Sequence, residues 1–230
     1  MRALRILLIL AIVLGGVFVG IDRLAVSYAE SEAASRVKLS AGDARTDSID
    51  VDIKGFPFLT QVADKRFDEV EVRATGVKAT AGDRQVRVGE LTVALRDVTV
   101  TGDWAGARAG SANGTALISY ADLTAASERG ATVAYGENGK VKVTGSVTVL
   151  GRTLTRTVLS TVTAVNGDTI RVRADEVPGG GIPGLEELVR ARTDFDRPIG
   201  MIAGMKVEKV EPRPEGLAVI LSGKDVVLAG

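Results

Sequence analysis

The 230-residue chain contains neither cysteine nor histidine. Without cysteine there is no disulfide, no thiolate metal ligand and no lipobox residue to carry an acyl anchor. Without histidine, Ser-His-Asp and Cys-His catalysis and His-ligated zinc are excluded, because the usual neutral-pH base and the usual metal ligand are missing. Aromatic residues make up only 4% of the chain, with one tryptophan. An excess of charge is also absent: 29 basic and 29 acidic side chains balance. No polybasic footprint for nucleic acid follows from that pattern, and none is expected as a partner.

The chemistries left open are a carboxylate pair and a Ser-Lys dyad. Ser35-Arg36-Val37-Lys38 fits S-x-x-K but lacks the companion elements of the penicillin-binding pattern, so it reads as a solvated helix end. No two Asp or Glu residues have a spacing that argues for joint acid and base roles. The expectation is a protein that is not an enzyme, with no catalytic residue, no cofactor and no metal.

What the sequence does have is an uninterrupted apolar run, Ile6 to Ile21, behind Arg2 and Arg5. A short positive n-region before a hydrophobic core is read as a signal peptide or signal anchor, with the arginines held in the cytoplasm. Sixteen residues fall short of the ~20 needed to span a relaxed bilayer. Ser27 and Ala29 form a small-x-small cleavage pattern. Against cleavage, Asp22 to Leu39 continues as a helix with Val26, Ala29, Ala33 and Val37 on one stripe. The division expected is therefore residues 1–21 as signal anchor or signal peptide and residues 22–230 as one extracytoplasmic β-rich domain. The protein is placed at the cell membrane, or secreted if the segment is cut.

Beyond Leu39 the hydrophobic period is two. Ile49, Val51 and Ile53 alternate with polar neighbours, as do Val70, Val72 and Ala74, and Val141, Val143, Val147 and Val149 share one parity. Asn138-Gly139 and Asn166-Gly167 sit between such runs and predict type I′ hairpins, making Ala131 to Ala174 an antiparallel meander. Between Gln85 and Thr101 the alternation changes phase near Gly89-Glu90 and again near Arg96-Asp97. Unless the strand bulges there, its apolar set turns to the opposite face, so the sheet is expected to be strongly curved. Met205 to Val210 and Leu217 to Leu221 form a closing hairpin around Pro212-Arg213-Pro214-Glu215-Gly216. Short helices are expected at Ala121 to Ser127 and, after Pro183, at Leu185, Leu188 and Val189.

The inward positions are mostly Val, Ile, Leu, Ala, Thr and Gly, and Gly numbers 27. Small inward side chains leave volume. Such a sheet closes as a dry core or encloses a lipid-sized tunnel; a sixteen-carbon chain buried there gains roughly 10 kcal/mol before ordering costs, at about 0.8 kcal/mol per methylene. The turn Gly55-Phe56-Pro57-Phe58-Leu59-Thr60-Gln61 places two of the five Phe where a turn is normally polar. It either plugs one end of the core or forms an apolar lip that touches membrane or ligand.

This turn, followed by Arg66-Phe67-Asp68-Glu69-Val70-Glu71-Val72, preceded by Asp22-Arg23-x-Ala25 and closed by Leu221-Ser222-Gly223, resembles the LmeA-like family of actinobacterial phospholipid-binding cell-envelope proteins. The resemblance covers essentially the whole exported part. It implies a non-enzymatic lipid-binding protein of α+β class, predominantly antiparallel β, in which a strongly curved sheet wraps a long N-terminal helix as a half-barrel akin to the tubular lipid-binding folds. The partners expected are a phospholipid or other envelope lipid and the membrane. Phe56, Phe58, Leu59, Phe67, Val70, Val72, Trp104 and Ile182 are the candidate lipid-contact residues. The alternative is a structural or interaction domain of the envelope with a dry core and a protein partner.

Weaker signals read as structure. Gly179-Gly180-Gly181-Ile182-Pro183-Gly184 fits G-x-G-x-x-G but no parallel β-α-β unit follows, so it reads as a loop at the sheet edge that can gate an apolar opening. Asp47, Asp50 and Asp52 lack the calcium-loop pattern and belong to a strand's polar face. Asn113-Gly114-Thr115 is a formal sequon and an ordinary turn signal. Trp104, flanked by glycines, is placed either over a sheet edge or at headgroup level. Arg152, Arg156, Arg190, Arg192 and Arg197 have the geometry to meet a phosphate but are equally explained as solvated.

Overall fold

A computed structural model describes residues 2–40, 46–81, 84–102, 104, 106–127, 131–149, 152–176, 187, 190 and 194–229; for residues 2–10, 36–40, 80–81, 84, 146–149, 152–154, 176 and 229 the backbone alone is described. Ile182, the Gly179–Gly184 loop and the Leu185, Leu188 and Val189 helix expected after Pro183 lie outside the described residues, as do the side chains of Arg152 and Arg192.

The helix does not stop where the apolar run ends at Ile21. Helix α1 (Arg2–Ser40) is continuous over 39 residues, about 58 Å at 1.5 Å per residue. Its residues 11–21 are all exposed. Among the described residues α1 is the one helix long and apolar enough to cross a membrane. Asp22, the first charged residue after the run, is fully buried, and from here the helix packs on the body of the protein. Val26 is buried, and Ala25 and Ala29 pack beside it.

Strand β1 (Ser48–Lys54), helix α2 (Phe58–Asp64), β2 (Arg66–Ala81), β3 (Arg84–Thr101) and β4 (Gly106–Ile118) follow. Next come helix α3 (Tyr120–Ala126), the meander β5 (Thr132–Tyr135), β6 (Val141–Val149), β7 (Arg152–Val165) and β8 (Thr169–Glu176), then β9 (Phe195–Pro198), β10 (Met205–Arg213) and β11 (Gly216–Ala229). They form two antiparallel sheets, ordered β1-β2-β3-β4-β11-β10 and β5-β6-β7-β8-β9. The class is thus α+β and predominantly antiparallel, as expected from the sequence; the strands divide into two sheets, which do not close into a barrel. Both Asn-Gly steps turn as expected: Asn138 and Gly139 have φ of 48° and 70°, and Asn166 and Gly167 have 55° and 78°.

The phase changes in β3 are real, but no residue is inserted. Val86 and Val88 face inward, then Leu91, Val93 and Leu95, then Val98 and Val100, while pairing with β2 and β4 keeps one register throughout. The neighbouring strands change phase at the same places. Pairing lapses where Asp68 meets Asp97, where Asp97 meets Gly110 and where Gly110 meets Asp225, and it resumes one residue later without a slip. Asp97 and Asp225 take φ of 52° and 50°. A single left-handed residue re-aims the strand beyond it, a conformation that Asp tolerates better than most residues. A second lapse sets Gly76, at φ 66°, opposite Gly89. The strands therefore bend together along transverse seams, and the apolar side stays on the concave face. True register slips occur elsewhere, between Val207 and Lys209 and between Leu159 and Ser160.

Asn113-Gly114 departs from its reading as a turn: it lies within β4, paired to Ala94 and Val93. A Cβ on Gly114 would come 2.9 Å from the Thr92 carbonyl oxygen, so this glycine serves close strand packing. Two apolar clusters line the concave side. One, with Val88, Ala116, Val141, Val162, Val172 and Val219, joins the two sheets. The other, with Val26, Phe58, Phe67, Leu95, Val98 and Val226, joins the first sheet to α1 and α2.

Candidate lipid-binding cavity

The two clusters do not meet as a solid core. A cavity of about 1400 Å³ runs between them, bounded by α1, α2 and both sheets, larger than the ~300–1,000 Å³ of an ordinary small-molecule pocket. Along β3 its wall extends from Val86 to Val100, a contour of about 46 Å at ~3.3 Å per residue. Valine, leucine, isoleucine and alanine supply most of the wall. Among the described residues its charged side chains are Glu32, Asp194 and Arg197. An apolar groove of this length offers hydrocarbon a continuous surface and few polar groups to desolvate.

Helix α2 builds one end. Its N-cap is Pro57, which provides no side-chain cap, and the acceptor comes instead from α1: Asp22 Oδ1 accepts the Leu59 N–H at 2.9 Å. Gln61 ties the other side, accepting the Asp68 N–H at 2.9 Å and donating to the Lys54 carbonyl at 3.3 Å. Glu30 accepts the Ile53 N–H at 2.9 Å, fastening α1 to β1. Fixed in this way, Phe58 sits 6.2 Å from Phe67, whose ring is 6.4 Å from Trp104 in an edge-on arrangement.

Of the residues singled out from the sequence, Phe58, Leu59, Phe67, Val70, Val72 and Trp104 all line the cavity. Phe58 and Phe67 are buried in its end wall, whereas Trp104 is 49% exposed. Phe56 is not on the wall. It projects outward, 52% exposed, beneath the guanidinium of Arg23 at 5.4 Å from its ring centre. One turn thus carries both a buried ring that closes the cavity end, Phe58, and an exposed ring outside it, Phe56.

Sequence reasoning missed the α1 wall residues Tyr28, Ala29 and Ala33, and the far wall of Val162, Val172, Val219 and Leu221. Parity along β7, β8 and β11 carries the signal for the far wall. Ile199 to Ile202, which also line the cavity, have no alternation to betray them. Among the arginines, Arg197 lies on the wall over Phe195, 5.5 Å from its ring centre. Arg190 donates to the Ala174 carbonyl, and Arg156 stays exposed. Asp47, Asp50 and Asp52 face Arg87, Arg73 and Lys54 respectively, and no group of three or more metal-ligating side chains occurs among the described residues.

The perturbed titrations lie off the wall. The Thr161 hydroxyl, then Lys140, hold the Asp175 carboxyl below its usual range; Arg171, then Arg173, do the same for Asp196. Burial, with Tyr135 nearby, pushes the Tyr120 phenol up to about 12, and its hydroxyl donates to the Arg213 carbonyl at 2.8 Å. These groups tie strand to strand and turn to helix, and they do not form an acid–base pair facing a cleft.

No curated protein and no solved structure matches the chain. A family model, described as LmeA-like phospholipid-binding, matches residues 20–222, which takes in α1 from Gly20 onward, the Phe56–Leu59 turn, strands of both sheets and nearly all of the cavity wall. The chain belongs to the LmeA-like phospholipid-binding family.

Proposed function

We propose that the protein binds a phospholipid of the cell envelope without chemical change, its acyl chains lying in the cavity between the two sheets and α1, and that it passes this lipid between membrane and acceptor. The observation that carries the reading is the long apolar cavity of about 1400 Å³ in a member of a phospholipid-binding family. Each methylene taken from water into it contributes about 0.8 kcal/mol, so affinity needs no reactive group. A dry-core interaction domain has no use for such a volume.

The N-terminal run then serves as anchor, with the body on the extracytoplasmic side. Continuity of α1 through Ile21 and Asp22 supports retention, because Asp22 is both part of the helix and buried against α2. Organic extraction of the purified full-length chain, followed by mass spectrometry and phosphate assay, tests the binding. The expected result is diacyl phospholipid in near-stoichiometric amount. A chain that yields none, and takes up none from vesicles, overturns the reading.

A further inference from the structure

Ile21, Leu24, Tyr28, Phe56 and Trp104 are exposed apolar or aromatic side chains carried by α1, the turn before α2 and the β3–β4 connection, and Arg23 lies over Phe56 in a recess apart from the cavity. Tyr28 is 75% and Trp104 49% exposed, yet both line the cavity. A wall residue with about half or more of its surface open marks an aperture, here between α1 and the β3–β4 connection.

The position of that aperture relative to the apolar run is fixed by the helix. Tyr28 lies seven residues past Ile21, about 10 Å along the axis. The headgroup layer on each side of a bilayer is roughly 5–7 Å thick, and the run of sixteen residues covers about 24 Å of a ~30 Å hydrocarbon core. A run that is too short draws the adjoining body toward the headgroups. Tyr and Trp favour that layer because one end of each ring is apolar and the other wet. Arg23 is suited to lipid phosphate, with its stem over Phe56 and its guanidinium outward.

We propose that this aperture is a lateral portal: Tyr28 and Trp104 flank an opening held within the outer headgroup layer, through which a phospholipid slides from the bilayer into the cavity without crossing water. Phe56, Leu24 and Arg23 form the collar seated on the membrane. The hydrogen bond from Leu59 to Asp22 sets the angle, because it locks the turn that carries Phe56 to the end of the membrane helix. The inference rests on the lipid-binding reading but is separable from it.

Trp104 is the only tryptophan in the chain, so intrinsic fluorescence reports this position alone. Full-length protein is reconstituted into vesicles of phosphatidylcholine and phosphatidylglycerol whose acyl chains are brominated close to the glycerol. Trp104 emission should shift to the blue and be quenched. Lipid already in the cavity would quench it too, so a second probe, Phe56→Trp in a Trp104→Phe background, reports the collar, which is off the cavity wall. A third, Tyr135→Trp in the same background, places the probe on β5, away from both. Quenching at positions 104 and 56 with position 135 bright supports the portal. If position 56 stays unquenched, or position 135 is quenched equally, the portal is overturned, while lipid recovered by extraction leaves the binding reading standing.

Discussion

Asp22 is where anchor and body are joined. It is fully buried, one carboxylate oxygen accepts the Leu59 N–H, and the other has no hydrogen-bond partner. Replacing it with alanine leaves that amide unpaired at the start of a seven-residue helix, a loss of about 1–3 kcal/mol. In a protein of this size each kcal/mol shifts the melting temperature by about 2–4 °C. Thermal melts of the full-length chain in detergent should show that drop for Asp22→Ala, with faster amide exchange across α2. Asp22→Asn keeps the acceptor for the Leu59 N–H, and it should melt with the unmodified protein. A charged residue directly after a run of apolar ones is legible in the sequence only as the end of that run. That it reaches inward to cap another helix depends on α2 folding back over α1, which no local pattern encodes. Phe58, by contrast, stood out because its turn is apolar where a turn is normally polar, and with Phe67 it lines the cavity.

At the scale of elements, curvature comes from the seams. Four strands bend where Asp68, Asp97, Gly110 and Asp225 lie side by side, and the bend keeps Leu95 and Val98 on the same concave face although they are three residues apart. The broken alternation in β3 exposed this seam in the sequence, since a strand that changes phase must either expose its apolar set or turn. The sequence pattern did not distinguish an inserted residue from a left-handed one, because both shift parity by one. It also gave no sign that the strands divide into two sheets, which is a matter of which edges pair. Asp97 at φ 52° tolerates the left-handed region, but a β-branched side chain there costs about 1–2 kcal/mol. Asp97→Val should lower the urea midpoint accordingly, whereas Asp97→Asn should leave it in place. A Cβ on Gly110 would meet that of Asp97 at 3.1 Å, so the seam is tight on the outer side as well.

For the molecule as a whole the open interior sets how it responds to added bulk, and a larger side chain on the cavity wall should act differently from one in the packed cluster. Gly145 lies on the cavity wall, and a Cβ built there meets nothing within 4 Å. Ala109 lies off the wall and is 0% exposed within the cluster that holds Phe67 and Val226. Where packing is complete, extra methylenes force strain worth about 1–3 kcal/mol; where space is open, a leucine gains burial and replaces a glycine that weakens its strand by roughly 0.5–1 kcal/mol. Ala109→Leu should therefore lower the urea midpoint of the lipid-stripped protein, and Gly145→Leu should hold or raise it. The same Gly145→Leu protein, returned to vesicles, should retain less phospholipid per chain by phosphate assay, because the leucine occupies space that acyl carbons would fill. Equal destabilisation by both substitutions, with lipid content unchanged, would mean that the walls meet in solution and that the cavity is not where lipid resides.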